Sequence, residues 1–186
     1  MTKISIIGGD LRIVKLAEML LSDGFELYTY GLELADSIEK NEAIIKCQTI
    51  EEVVEKSSII ISSIPLSSNE EKVNMPFSEQ ELTVEELIKH IEGKIFIAGR
   101  IKEEIYNKVT NAKIIDVLKR EELTVLNTIS TAEGAIQIAM EETTKTLHGS
   151  NILIMGFGRV SKILSNMLKG IGANVYCETT KVVNCS

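Results

Sequence analysis

The stretch from Asn151 to Tyr176 limits the possible folds more than any other part of the chain. A short apolar run, Ile152 to Met155, leads into Gly156-Phe157-Gly158, and an amphipathic helical stretch follows from Arg159 to about Gly170. The residues from Ala173 to Tyr176 then have the pattern of a second strand. The order strand, turn, helix, strand is typical of the opening unit of a dinucleotide-binding fold.

The two glycines of this turn suit a bound phosphate pair. Gly156 allows the strand to turn sharply, and Gly158 leaves room for a pyrophosphate at the helix N-terminus, where free N–H groups attract an anion. The third position of the motif G-x-G-x-x-G is Ser161, which is small but is not glycine. We therefore predict a nucleotide-binding turn, with an ordinary strand-to-helix turn as the alternative. Its residues are Gly156, Phe157, Gly158, Arg159, Val160 and Ser161.

The same sequence pattern occurs near the N-terminus, 148 positions earlier, and the two copies align without a gap. Two such starts in one chain predict two similar α/β domains, each opening with the same unit. The matching pairs are Gly8 with Gly156, Leu16 with Leu164, Met19 with Met167, Leu20 with Leu168, Gly24 with Gly172 and Tyr28 with Tyr176.

The two copies differ at the position that faces the phosphate. Asp10 stands in the first copy where Gly158 stands in the second, and a carboxylate both repels and crowds a pyrophosphate. We therefore expect the first domain not to bind a dinucleotide. Its turn, which includes Gly9, Asp10 and Arg12, presents an acid, a base and a helix N-terminus and is a candidate substrate edge. Alternatively, Asp10 only caps the helix and Arg12 lies in solvent.

Apolar strands alternate with helices through the rest of the first domain, which predicts a flavodoxin-like or Rossmann-like parallel sheet covered on both faces. The polar stretch from Leu66 to Glu81 is predicted to be a loop or a hairpin. The predicted strands are Lys3 to Ile7, Phe25 to Tyr30, Ala43 to Cys47, Ser58 to Ile64, Lys94 to Ala98 and Lys113 to Val117. The predicted helices are Leu11 to Leu21, one that begins after Thr49, one capped by Thr83 that runs to Ile91, and Ile101 to Val109.

Ligands of such sheets bind beyond the carboxyl ends of the strands. These ends carry Gly8-Gly9-Asp10, Ser62 to Pro65 and Gly99-Arg100. Pro65 and Arg100 therefore join the candidate substrate residues, although ordinary turn residues are expected at the same places.

A connecting helix is predicted between the domains. Ser130-Thr131-Ala132-Glu133 has the spacing of a capping box, and a helical run follows to about Leu147. Glu133 is a candidate to face substrate, or else it only satisfies the helix N-terminus. We expect a substrate-side domain at residues 1–126, the connecting helix at 127–148 and an incomplete nucleotide-binding Rossmann domain at 149–186.

Composition excludes several classes of function. The net charge is −7, which argues against nucleic-acid binding. No apolar run approaches the roughly 20 residues that a membrane span needs, and no secretory signal is recognisable, so a cytoplasmic protein is expected. Cys47, Cys177 and Cys185 are odd in number and widely spaced, which suits reduced thiols and matches no zinc-ligand pattern, so no metal site is expected.

Four segments resemble the family of dipicolinate synthase A subunits of spore-forming bacteria. They are Ile6-Ile7-Gly8-Gly9-Asp10-x-Arg12, the run from Thr131 to Ile136, His148-Gly149-Ser150, and Gly156-Phe157-Gly158-Arg159. The resemblance covers nearly the whole chain. It implies a two-domain oxidoreductase, dependent on NADP or NAD, with domains arranged as in D-2-hydroxyacid dehydrogenases. Gly156, Gly158, Arg159 and Val160 then fall at the cofactor turn.

The resemblance also implies a reaction and a partner. Together with a flavoprotein-like second subunit, the family forms dipicolinate from a dihydrodipicolinate-level precursor during sporulation. Such a small dicarboxylate substrate requires cations, and Arg12 or Arg100 is expected to supply one through a bidentate contact. The resemblance identifies no catalytic residue. The candidate substrate residues are Gly9, Asp10, Arg12, Pro65, Arg100 and Glu133.

The second domain is expected to be truncated, because a complete dinucleotide fold needs roughly another hundred residues after Tyr176. We therefore expect the chain to be inactive alone and to form a homo-oligomer through the exposed strands. Glu178 lies where an acid reads the ribose of NAD, whereas Thr179, Thr180 and Lys181 stand where the family commonly reads a phosphate, so both cofactors remain open. Two rival interpretations are a D-2-hydroxyacid dehydrogenase relative and a non-catalytic fragment that binds a partner.

Overall fold

The computed structural model describes residues 1–178 and divides the chain into two compact units, Met1–Lys119 and a second that begins at Arg120. Thr179, Thr180, Lys181 and Cys185, on which two of the expectations above depend, lie outside the described residues.

The first unit is a six-stranded parallel sheet with helices on both faces. Its strands are β1 (Lys3–Ile7), β2 (Glu26–Tyr30), β3 (Ile44–Lys46), β4 (Ile59–Ser62), β5 (Ile95–Ala98) and β6 (Lys113–Asp116). Its helices are α1 (Leu11–Ser22), α2 (Asp36–Glu39), α3 (Ile50–Glu55), α4 (Val84–His90) and α5 (Glu103–Lys108), followed by a 3₁₀ turn at Val117–Lys119.

The strand order is β3-β2-β1-β4-β5-β6, which is the Rossmann order rather than the flavodoxin order. The α/β fold class is therefore confirmed. The order of the strands reverses between β1 and β4. This is the topological switch point of the sheet, and folds of this kind bind ligands beyond the carboxyl ends of the two strands that flank it.

Alternation along the strands builds a core on each face of the sheet. Ile6 packs with α1 and α2, whereas Ile7 packs with residues of α3, α4 and α5. Because both faces are covered, the central strands are apolar on both sides, as the sequence predicts.

Side-chain caps begin three of the helices. Asp10, Thr49 and Thr83 each accept a hydrogen bond from a backbone N–H in the first turn of α1, α3 and α4. This confirms the caps predicted at Thr49 and Thr83. The short helix α2 is not predicted by the sequence, because four residues show no helical periodicity.

The polar stretch before α4 forms a loop with two isolated antiparallel bridges, Ser67 with Val73 and Lys72 with Thr83. This agrees with the loop or hairpin that the sequence predicts.

The second unit contains α6 (Glu121–Glu142), β7 (Asn151–Met155), α7 (Arg159–Ile171) and β8 (Asn174–Glu178). β7 and β8 form a two-stranded parallel sheet. One face of this pair packs on α6 and α7 around Leu147, Ile154 and Leu168.

The internal repeat is confirmed in the backbone. The bounds of β7 and β8 are those of β1 and β2 displaced by the same 148 positions. The amide of Gly8 donates to the carbonyl of Tyr30, and the amide of Gly156 donates to the equivalent carbonyl of Glu178, at 2.9 and 2.8 Å.

The connecting helix differs from its predicted bounds. It begins at Glu121, six residues before the predicted start, and ends at Glu142. The predicted capping box at Ser130–Glu133 is wrong, because these residues lie inside the helix, where the Thr131 hydroxyl donates to the carbonyl of Asn127. The acidic residues of the first turn, Glu121 and Glu122, instead favour the helix N-terminus. Within residues 1–178 no helix is both long and apolar enough to cross a membrane.

Candidate functional site

The turn between β7 and α7 is open. Gly156 has φ 110°, a backbone conformation that favours glycine. Gly158 is the N-cap of α7 and provides no side-chain cap. A Cβ placed on Gly158 meets no atom within 4 Å, so the space beside the helix N-terminus is unobstructed. Because α7 is 13 residues long and its first N–H groups have no partner within the helix, the turn has the geometry that accepts a phosphate.

Two cations flank this turn. The guanidinium of Arg159 pairs with Glu121 at 2.8 Å, and both side chains are more than half exposed. The ammonium of Lys162 lies 5.5 Å from the centre of the Phe157 ring. Val160 is exposed and Ser161 half-buried. An anion bound at the turn would therefore meet Lys162 on α7 and would compete with Glu121 for Arg159.

The equivalent turn of the first unit is closed by the chain itself. The amide of Gly9 donates to the carbonyl of Asn74 at 2.9 Å. A Cβ on Gly8 or on Gly31 would collide with the side chain of Met75, which is buried. The loop before α4 therefore fills the place that a pyrophosphate takes in a Rossmann fold.

Asp10 and Arg12 form a tight pair at the carboxyl end of β1. The Asp10 carboxylate caps α1 through the amide of Arg12 at 3.0 Å and accepts from the Arg12 guanidinium at 2.7 Å. These hydrogen bonds from Arg12 hold the pKa of Asp10 below its ordinary value. Arg12 also donates to the carbonyl of Ile64, next to Pro65, and so links β1 to the end of β4.

Arg100 occupies an unusual place at the end of β5. Its φ is 55°, in the left-handed region. The buried carboxylate of Asp116, at the end of β6, accepts hydrogen bonds from the amides of Arg100, Ile101 and Leu118 at 3.1, 2.9 and 2.9 Å. The side chain of Arg100 is exposed and lines a cavity of about 480 Å³ between the loop before α4 and helices α4 and α5.

The structure thus brings Gly9, Asp10, Arg12 and Pro65 to the switch point of the first sheet and places Arg100 two strands away. Glu133 lies near the middle of α6 in the second unit, and its side chain is exposed. Residues 1–178 contain no group of three or more acidic, histidine or cysteine side chains that could hold a metal.

Sequence reasoning missed Asn74, Met75 and Asp116. Asp116 comes after an apolar run, and an acidic residue is common at such a strand end. No local sequence pattern indicates which amides its carboxylate binds. Asn74 and Met75 lie in a polar loop whose path over β1 depends on contacts far apart in the chain.

Comparison with known proteins identifies the relatives of this chain. The family model for the N-terminal domain of the dipicolinate synthase A subunit matches residues 3–118. The dipicolinate synthase A subunit of Bacillus subtilis (strain 168) is 26% identical over 179 residues, which cover 93% of this chain and 59% of that protein.

Two solved structures are similar in fold. The crystal structure of the dipicolinate synthase A chain from Bacillus subtilis has a TM-score of 0.76 and 25% identity, covering 95% of this chain and 60% of that one. The dipicolinate synthase A subunit from Bacillus halodurans has a TM-score of 0.79 and 24% identity, covering 95% and 61%. The chain thus spans less than two thirds of the length of these relatives.

Proposed function

Because the chain belongs to the family of N-terminal domains of the dipicolinate synthase A subunit, we propose that it acts in an NADP- or NAD-dependent oxidation that forms dipicolinate during sporulation. The substrate is a dihydrodipicolinate-level dicarboxylate. Conversion of its ring to an aromatic pyridine removes one hydride and one proton. A bound nicotinamide would supply the hydride acceptor, and the chain's own residues would bind and orient the two ligands.

The observation that carries this proposal is the contrast between the two glycine turns. The turn at Gly156–Ser161 has free space and an uncapped helix N-terminus, with Arg159 and Lys162 beside it. The matching turn at Gly8–Asp10 is occupied by Asn74 and Met75. Residues of the second unit would therefore hold the pyrophosphate, whereas the first unit would supply substrate contacts.

A pair of substitutions that exchanges the two turns tests the cofactor assignment. Gly158→Asp copies the first turn into the second, and we expect it to weaken NADPH and NADH binding at least tenfold in calorimetric titrations. The stability of α7 should not fall, because aspartate is a good N-cap. The matched variant Asp10→Gly should leave nucleotide binding unchanged, since Asn74 and Met75 still fill that turn. Unchanged nucleotide affinity in Gly158→Asp would refute the assignment.

We also propose that the protein works in the cytoplasm with a flavoprotein-like second subunit, as the family resemblance implies. Co-expression of both proteins followed by size-exclusion chromatography tests the association. Separate elution of the two proteins at micromolar concentration would count against this partner.

A further inference from the structure

An ion pair joins the beginnings of two helices in the second unit. The guanidinium of Arg159 donates to the carboxylate of Glu121 at 2.8 Å, although the two residues are 38 positions apart in the chain. Arg159 is the first residue of α7 and Glu121 is the first residue of α6. The pair therefore connects the start of the connecting helix to the turn that we propose for the nucleotide.

This ion pair brings a negative charge to a turn that otherwise attracts anions. The N-terminus of α7 has no side-chain cap, and the helix dipole favours an anion there. Arg159 directly follows Gly158 in the chain, so a phosphate bound at the turn would be drawn to the same guanidinium that Glu121 holds. A carboxylate and a phosphate thus compete for one cation.

The second cation of the turn is not engaged in this way. The ammonium of Lys162 lies 5.5 Å from the centre of the Phe157 ring, and within residues 1–178 it forms no ion pair. In the first copy of the repeat, Leu11 and Val14 stand where the second copy has Arg159 and Lys162. The open turn therefore differs from the closed one by two cations, and an acid neutralises one of them.

We propose that Glu121 sets the affinity of the open turn for the nucleotide by competing with the pyrophosphate for Arg159. Both side chains of the pair are more than half exposed, so the pair is broken at little cost in free energy. The displaced carboxylate stays at the N-terminus of α6, where the helix dipole stabilises its charge. The choice of a nucleotide rests on the proposed function. The ion pair, the uncapped helix and the two cations stand independently of it.

Calorimetric titration of the 186-residue chain with NADPH, NADH and inorganic pyrophosphate tests this competition. We expect Glu121→Gln to tighten binding about twofold to fivefold, which matches the usual strength of an exposed ion pair. Arg159→Gln should weaken binding, because it removes the cation. Addition of Glu121→Gln to Arg159→Gln should have no further effect, as expected of a residue that acts through Arg159.

Glu122→Gln is the matched control. It removes the same charge from the same turn of α6, but Glu122 lies 3.7 Å from the guanidinium of Arg120 and does not pair with α7. It should leave the affinity unchanged, whereas an effect of net charge or of helix stability would appear in both variants alike. Lys162→Gln should weaken binding to the same extent whether or not Glu121 is replaced, because the two residues are not paired.

Three results would overturn the proposal: equal affinity in Glu121→Gln and the unaltered chain, an equal gain in Glu122→Gln, or a gain from Glu121→Gln that persists in Arg159→Gln. The proposed cofactor would stand in each of these cases, since the nucleotide still binds. Binding of pyrophosphate without NADPH or NADH would instead remove the cofactor and keep the competition measurable. The absence of binding by all three probes would overturn both.

Discussion

At the scale of single residues, Asp10 shows how one side chain changes the role of a glycine turn. In the internal repeat Asp10 stands at the position that Gly158 has in the second copy. Its carboxylate caps α1 and forms an ion pair with Arg12. The predicted cap is therefore confirmed, whereas the substrate edge at this turn stays a prediction. Arg12 is not simply in solvent, since it also reaches the carbonyl of Ile64.

The pair should make stability depend on pH in a defined window. The pKa of Asp10 is lowered in the folded chain, chiefly by hydrogen bonds from Arg12. The stabilisation is therefore present above the ordinary pKa of 3.8 and is lost as the pH falls through the lower folded-state value. Because the Arg12 side chain is 56% exposed, we expect it to be worth less than about 1 kcal/mol.

Asp10→Asn measures this contribution, because asparagine keeps the cap and removes the charge. In urea unfolding at pH 7 the unaltered chain should be the more stable. The difference should shrink below about pH 4. A difference that stays constant from pH 7 to pH 3 would show that the charge is not its source.

At the scale of elements, the loop between β4 and α4 closes the first glycine turn. Gly9 donates to Asn74, and Met75 packs against Gly8 and Gly31. The amide of Leu34, which follows β2 in the chain, donates to the carbonyl of Phe77 in the same loop. A single loop thus covers the carboxyl ends of two strands and takes the place of a ligand.

Removal of the Met75 side chain should reveal how much stability this loop contributes. Met75 is 8% exposed and belongs to the larger core, so Met75→Ala should lower the free energy of unfolding by about 2–5 kcal/mol. Met19→Ala is the control, since Met19 is 56% exposed on α1 and should change stability by less than about 0.5 kcal/mol. Equal effects in the two variants would argue that the loop does not pack on the turn in solution.

At the scale of the whole molecule, the second unit leaves an apolar sheet face uncovered. Leu153 and Tyr176 lie directly opposite each other in β7 and β8 and are 60% and 59% exposed, and Met155 is 84% exposed. Exposed apolar patches of this kind are typical of association surfaces. The expected homo-oligomer therefore remains a prediction with a specific surface.

Leu153→Glu tests this surface. We expect sedimentation of the unaltered chain to show concentration-dependent association, and the charged variant to sediment closer to a monomer. Leu34→Glu, at a leucine that is 52% exposed in the first unit, should associate like the unaltered chain. A monomer at every concentration, or the same loss of association in both variants, would contradict the prediction.

The sequence by itself determines the alternation of strands and helices, the internal repeat, the caps at Thr49 and Thr83 and the position of the open turn at Gly156 and Gly158. Each of these depends on hydrophobic periodicity or on hydrogen bonds between residues that are close in the sequence, so a short stretch of sequence is enough to predict it. The family could be predicted for the same reason, because its motifs are short runs of adjacent residues.

Only the tertiary structure decides which glycine turn is filled, what Arg12 contacts besides Asp10 and which carboxylate binds the amide of Arg100. Met75 reaches Gly8, Arg12 reaches Ile64 and Asp116 binds the amide of Arg100, and the last two contacts join residues 52 and 16 positions apart. Contacts of that range depend on the order of strands in the sheet, which brings the ends of distant segments to one edge. No local sequence pattern predicts these long-range contacts.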